Sequence, residues 1–267
     1  MTREKGKRMK KEKEKNREKE KRSHIVQGLG QAPGDPAEDR PDAEIEDRFP
    51  LFAKVRRNEA ARVYIRCQNT ALKALGYTEH GHAHVKIVAD RTKYILETLG
   101  EDDHTLDLAL TAAWLHDIGN VVNRVDHSQS GALMAFQILN ELQVPPADIA
   151  PIICAIGNHD EGNGAPITRI SAALILADKS DVRRSRVQQE DPARFDIHDR
   201  VNFSATRSEV KINKDHSGIK LKLQIDTHYG EIGEYFEIFM DRMLLCKRAA
   251  NSLGLAFHLI INEMSLM

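Results

Sequence analysis

The chain has 267 residues, 41% apolar and 30% charged, enough for one substantial core plus a smaller attached unit. Net charge is −1, but residues 1–22 hold twelve Lys or Arg against five Glu, which leaves the body mildly acidic and without the charge of a nucleic-acid-binding surface. Cys67, Cys154 and Cys246 are too scattered for a disulfide framework, and no apolar run approaches the ~20 residues of a membrane span. The expectation is a cytoplasmic protein with no membrane contact.

Residues 1–41 read as a disordered basic tail followed by a Gly- and Pro-rich linker, with no apolar face to bury. Apolar residues recur at helical spacing from Phe52 to Leu75, and Gly76 stops the run. Further helices are predicted at His82–Leu99, Leu106–Ile118, His127–Leu142, Pro146–Asn158 and Ile167–Arg186. The pattern then alternates at Ser208–Lys214 and Ile219–Asp226, joined by the turn residues Asp215-His216-Ser217-Gly218. An amphipathic helix follows, with Ile232, Phe236, Phe239, Met240, Met243 and Leu244 as its apolar stripe, and Leu255–Ile261 reads as a last strand. The organisation expected is a helical region over residues 42–200 and a small α+β (ββαβ) unit over residues 201–267. Surplus apolar surface on that unit predicts either docking on the helices or a homodimer, with the unit acting as an association or lid element.

The chemistry concentrates at a few helix ends. His116-Asp117 closes an apolar helix just before Ile118-Gly119. Imidazole and carboxylate together suit borderline divalent metals, namely Mn, Fe, Co, Ni or Zn. His84 opens a helix whose buried face continues at Val88. Asp178 ends the run Ala172-Ala173-Leu174-Ile175-Leu176-Ala177. A carboxylate in such a setting needs a compensating cation, either an ion-pair partner or a metal.

The ordered set His84 … His116-Asp117 … Asp178, with Ile118-Gly119 and Ala177-Asp178-Lys179 around it, resembles the HD-domain phosphohydrolase superfamily over about residues 45–190. The resemblance implies a mainly α fold, a bundle of five or more helices with these four side chains converging at its centre. It further implies one or two divalent transition-metal ions. In the two-ion form Asp117 bridges, with His84, His116 and Asp178 on one ion and His127 and His159 on the other. Without metals, His127 reads as a helix-start residue and His159 as a polar loop residue. No Gly-Tyr-Pro element follows the His-Asp pair, so the cyclic-dinucleotide branch that carries it is not supported. His80 and His82 read as exposed residues at a helix start.

The activity implied is metal-assisted hydrolysis of a small phosphorylated substrate, in which a hydroxide generated beside Asp117 attacks phosphorus. Lys179, Arg183 and Arg186 recur at helical spacing after Asp178, so with Asp117 they are the candidates for catalysis and phosphate contact. The same three also read as a solvated basic face paired with Asp181 or Glu190. Rival readings are an RNA or cyclic-nucleotide phosphodiesterase, with the basic tail as an electrostatic arm, and a regulatory module that keeps the metal without turnover.

Overall fold

The structure is a computed structural model that describes residues 43–267; the predicted tail and linker lie outside them. Ten helices and four strands follow one another there. The helices are α1 (Ala43–Arg48), α2 (Pro50–Arg57), α3 (Glu59–Leu75), α4 (His82–Thr98), α5 (Asp103–Leu115), α6 (His127–Glu141), α7 (Pro146–Gly157), α8 (Arg169–Lys179), α9 (Ile197–Ser204) and α10 (Ile232–Ser252). The strands are β1 (Ala205–Ile212), β2 (Gly218–Ile225), β3 (Ala256–Ile261) and β4 (Met264–Ser265). Among the described residues no helix is long and apolar enough to cross a membrane.

Helix α5 forms the axis of the bundle. Every residue from Leu106 to Leu115 is buried, and α2, α4, α7 and α8 surround it. Its apolar positions run all the way round, as a helix wrapped on every side requires. Fully buried Leu106 and Leu115 each contribute about 1.5–3 kcal/mol of transfer free energy. Asp107 is the charged exception: its carboxylate accepts from Leu51 N (2.9 Å) and Phe52 N (2.7 Å), satisfying α2 where that helix has no cap of its own. Helix α8 is buried in the same way from Ile170 to Ala177. These two core helices end at His116-Asp117 and at Asp178-Lys179, so polar groups emerge from an apolar interior at one place.

Two helices end earlier than their spacing predicts. The run Phe52–Leu75 is broken at Asn58, whose extended backbone lets its side chain cap α3 by accepting from Ala61 N (3.0 Å). The run Ile167–Arg186 stops at Lys179, and a 3₁₀ turn takes up Arg184–Arg186. Lys179, Arg183 and Arg186 therefore do not share a helix face. Ser180 Oγ bonds back to Ala177 O (2.7 Å), and the chain turns so that Asp181 points inward.

The C-terminal strands form one sheet in the order β1-β2-β3-β4. β1 and β2 are an antiparallel hairpin, β2 and β3 run parallel across the α10 crossover, and β4 adds antiparallel to β3. The β3–β4 turn uses Asn262 and Glu263 at φ 49° and 67°, and β4 was not evident from sequence. Ile219, Leu221, Leu223 and Ile225 alternate inward on β2. Helix α10 lies against both the sheet and α8, and one continuous apolar core joins helices and strands. Its buried line is accordingly Tyr235, Phe239, Met243, Cys246 and Ala250, whereas the expected stripe members Met240 and Leu244 are exposed. Tyr235 donates to Met243 Sδ (3.3 Å) and packs edge-on against Phe239.

Candidate metal centre

Six side chains meet where five helix ends converge. His84 stands in the first turn of α4, and His116 and Asp117 leave the end of α5. His127 is the first residue of α6, His159 follows α7, and Asp178 lies in the last turn of α8. Gly119 fixes this convergence sterically. A Cβ there would sit 2.0 Å from His127 O and 2.5 Å from Gly131 N, so only glycine lets the chain after Asp117 lie against α6.

The orientation of each ring follows from its outer nitrogen. Nδ1 of His116, His127 and His159 faces the carbonyls of Ala113 (2.8 Å), Arg124 (3.1 Å) and Ile156 (2.6 Å), and Nδ1 of His84 faces Asp181 Oδ2 (2.8 Å). Carbonyl and carboxylate oxygens only accept, so all four Nδ1 atoms carry the proton, and the neutral rings turn Nε2 lone pairs inward. Asp117 stands between them. Its Oδ2 faces His84 Nε2 (3.6 Å) and His116 Nε2 (3.4 Å), while Oδ1 faces His127 Nε2 (3.4 Å) and His159 Nε2 (3.7 Å). Asn120 Nδ2 steadies that carboxylate by donating to Oδ1 (3.0 Å). Asp178 Oδ1 completes the first side, 3.3 Å from His84 Nε2 and 3.8 Å from His116 Nε2.

These atoms suit a cation better than they suit one another. His84 Nε2, His116 Nε2 and Asp117 Oδ2 are buried without a hydrogen-bond partner. Bonds of about 2.0–2.2 Å to one ion set neighbouring donors roughly 3–3.5 Å apart, close to the spacing here. Ligand atoms of His84, His116 and Asp178 lie within 4.8 Å of one another, as do those of His116, Asp117 and His159. His127 joins the second group through its Nε2, 3.2 Å from that of His159.

The family profile described as the HD domain matches residues 81–183, the stretch that carries all six side chains. This stretch is an HD domain. A protein of Methanocaldococcus jannaschii described only as uncharacterized is 25% identical over 203 residues, covering 67% of this chain and 78% of its own length. No solved structure matches the chain. HD domains bind divalent metals and are largely metal-dependent hydrolases, and the His/Asp clusters of this one could hold such an ion.

Electrostatics of the HD domain favour positive charge at its centre. Burial works against ionised Asp117, yet the charge His116 can carry and the His127 and His159 rings that face its Oδ1 hold its carboxyl well below the usual range. Burial likewise opposes charge on Asp178, and Lys179 with the two nearby histidines overcomes it. His116 is pushed the other way: burial disfavours its cation, but Asp117 wins and raises its proton affinity. Asp178 divides its two oxygens, giving Oδ1 to the histidines and Oδ2 to Lys179 Nζ (2.8 Å). The ion pair and the metal-type environment, alternatives at the level of sequence, are both present.

The basic residues expected to meet phosphate have separate fates. Lys179 is buried between Asp178 and Glu161 Oε2 (2.7 Å), and Arg183 spans Asp181 Oδ1 (3.0 Å) and Glu79 Oε2 (2.9 Å). Both are committed to carboxylates. Arg186 donates to Glu79 O (2.9 Å) and Asp181 O (2.8 Å) and borders an open cleft. His80 is buried rather than exposed, 5.4 Å ring to ring from His84, with Nδ1 on Thr78 O (2.7 Å). His82 packs beside Trp114 instead of approaching the cluster.

Sequence reasoning missed Asp181 as the anchor of His84, and with it Glu79, Arg124 and the Glu161–Arg242 ion pair (2.8 Å). Asp181 follows Asp178 by three residues, a signal hidden by extending the helix through it. Arg242 lies on α10, so the C-terminal unit reaches the site without supplying a metal-type ligand. His216, His228 and His258, set aside on sequence, are absent from the clusters.

Proposed function

We propose that this protein is a metal-dependent phosphohydrolase that cleaves a phosphate ester, a phosphomonoester or a nucleotide, with two divalent transition-metal ions held across Asp117. One observation carries the reading: each oxygen of Asp117 faces its own pair of inward-turned histidine nitrogens. His84, His116 and Asp178 would hold one ion, His127 and His159 the other. When bound, such ions supply Lewis acidity and water of lowered pKa.

The chain's own part is to hold and balance that charge. The Nδ1–H bonds fix the histidine tautomers, and Asp181 orients His84 while Arg183 and Arg186 offset its own negative charge. Lys179 keeps Asp178 turned by holding its second oxygen, a positioning role rather than a phosphate contact. The buried helices α5 and α8 exclude water from behind the ligands.

The test joins composition to turnover. Anaerobically purified protein, assayed by elemental analysis and against phosphomonoesters, nucleotides, cyclic nucleotides and short RNA, should carry metal and hydrolyse a phosphate ester. Asp117→Ala should lose hydrolysis and most of the metal while keeping its helical circular dichroism. Full metal and full turnover in that variant would refute the assignment.

A further inference from the structure

A cleft of about 320 Å³ opens beside the centre, and three guanidinium groups from three different elements border it. Arg124 comes from the turn before α6, Arg186 from the 3₁₀ turn after α8, and Arg242 from α10 of the C-terminal unit. None of the six ligand residues lines the cleft, but two of its lining residues touch the cluster: Arg124 Nη1 approaches His127 Nε2 (3.3 Å) and His80 packs on His84.

The three arginines have donors to spare. Arg124 donates to Asn120 Oδ1 (3.2 Å) and has no carboxylate partner among the described residues. Arg242 lines the cleft and uses Nε on Glu161, which leaves its two terminal nitrogens outside that bond. Arg186 is only 4% exposed, and its Nη2 is buried with no hydrogen-bond partner. An unpaired guanidinium N–H in such a place is costly unless a ligand completes it. The one carboxylate among the cleft-lining residues, Asp196, caps its own helix by accepting from Asp199 N (2.9 Å). The wall is therefore a fork-rich anion site of the kind that phosphate oxygens match.

We infer that the cleft takes a second phosphate group of the substrate, beyond the one presented to the metal centre. A simple monoester has nothing to offer these arginines. A substrate with two phosphates spans both places, and the C-terminal unit then contributes directly to substrate recognition through Arg242. This inference rests on the phosphohydrolase reading, and it covers two sources: a phosphoanhydride such as a nucleoside diphosphate, and a bisphosphate whose groups sit on separate carbons.

Binding of hydrolysis-resistant phosphonates to the metal-loaded protein tests it without turnover. Calorimetric titrations would use methylphosphonate, methylenebisphosphonate and the bisphosphonate analogue of a sugar bisphosphate. Methylenebisphosphonate, the sugar analogue or both should bind at least about tenfold more tightly than methylphosphonate, the scale of one charge-assisted hydrogen-bonded pair. The tighter ligand identifies the source. Arg242→Gln should erase that advantage while elemental analysis of the metal-loaded variant still matches wild type, because Glu161 keeps Lys179 as a partner. Arg124→Gln provides a second, partly exposed position if the first variant proves unstable. Equal affinity for methylphosphonate and both two-phosphonate ligands, or an undiminished advantage in folded, metal-loaded Arg242→Gln and Arg124→Gln, would overturn the inference. Failure of the phosphohydrolase reading looks different: no metal in the purified or metal-incubated protein and no turnover of any ester, whatever the arginine variants do to phosphonate binding.

Discussion

Asp181→Asn is the sharpest probe of how the centre is held. The side chain is buried, and its three polar neighbours are donors: His84 Nδ1 at 2.8 Å, Arg183 Nε at 3.0 Å and Arg186 Nε at 3.7 Å. A carboxylate accepts from the first two and offsets the charge of Arg186, whose Nε donates to Glu79 O. An amide offers one oxygen, and its NH₂ must confront either His84 or an arginine. If the NH₂ meets His84, the ring shifts its proton to Nε2, the nitrogen meant for the metal. Loss of an orienting partner of this kind weakens metal binding by roughly 10–100-fold, or about 1.4–2.7 kcal/mol. The metal-free protein should also lose about 1–3 kcal/mol from the unbalanced buried donors, a fall of roughly 2–12 °C in Tm. Glu79 still holds Arg183 Nη2 (2.9 Å), which keeps this below the ~3–5 kcal/mol of a wholly stranded buried charge. Competition of the protein with a chelator for Mn²⁺ or Zn²⁺, together with circular-dichroism melts in EDTA, measures both effects. Metal affinity within about twofold of wild type, in a folded variant, would refute the orienting role of Asp181.

Two further outcomes follow from the same geometry. Gly119→Ala adds one methyl where backbone atoms of α6 leave no room, so helix and His127 must move together; a destabilisation of about 1–3 kcal/mol and reduced metal content are expected in melting and elemental analysis, and a neutral variant would contradict the packing. The pH dependence has a worked sign. His116 has a raised proton affinity in the fold, so its contribution to stability is full below the unfolded value and disappears as pH rises through the higher folded one. His80, His82 and His159, whose burial lowers their proton affinity, act in the opposite sense. In EDTA the His116 contribution is therefore read as the Tm difference between wild type and His116→Gln, which should shrink on the alkaline side, while metal affinity should rise over the same range as the competing proton leaves. A metal affinity independent of pH would exclude His116 as a ligand.

Much of the bundle was legible in the sequence because its signals are local. The helices beginning at His82, His127 and Pro146 start where their first apolar-periodic residues predict. The paired alternations of β1 and β2 declare a hairpin in the same way. The apolar run also announced Asp178, since a carboxylate closing six successive apolar positions must find positive charge. Elements with weak local signals were missed: α9 is eight residues long and β4 two, and each is fixed by what it packs or pairs with.

Residue type and order thus determined the helical bundle, the candidate ligands and the kind of cation they suit. Tertiary structure alone decided which atoms of those residues face one another. Helical spacing assigned Lys179, Arg183 and Arg186 to one basic face, but the chain turns after Lys179, and two of the three are spent on buried carboxylates. It assigned α10 an apolar stripe containing Met240, but packing on both α8 and the sheet selects Tyr235 instead and brings Arg242 to Glu161. Periodicity describes a helix with one neighbour. A helix between two neighbours buries a different line, and a charged residue's partner, often a hundred residues away, leaves no local trace: Arg183 meets Glu79, and His84 meets Asp181, only when the fold closes.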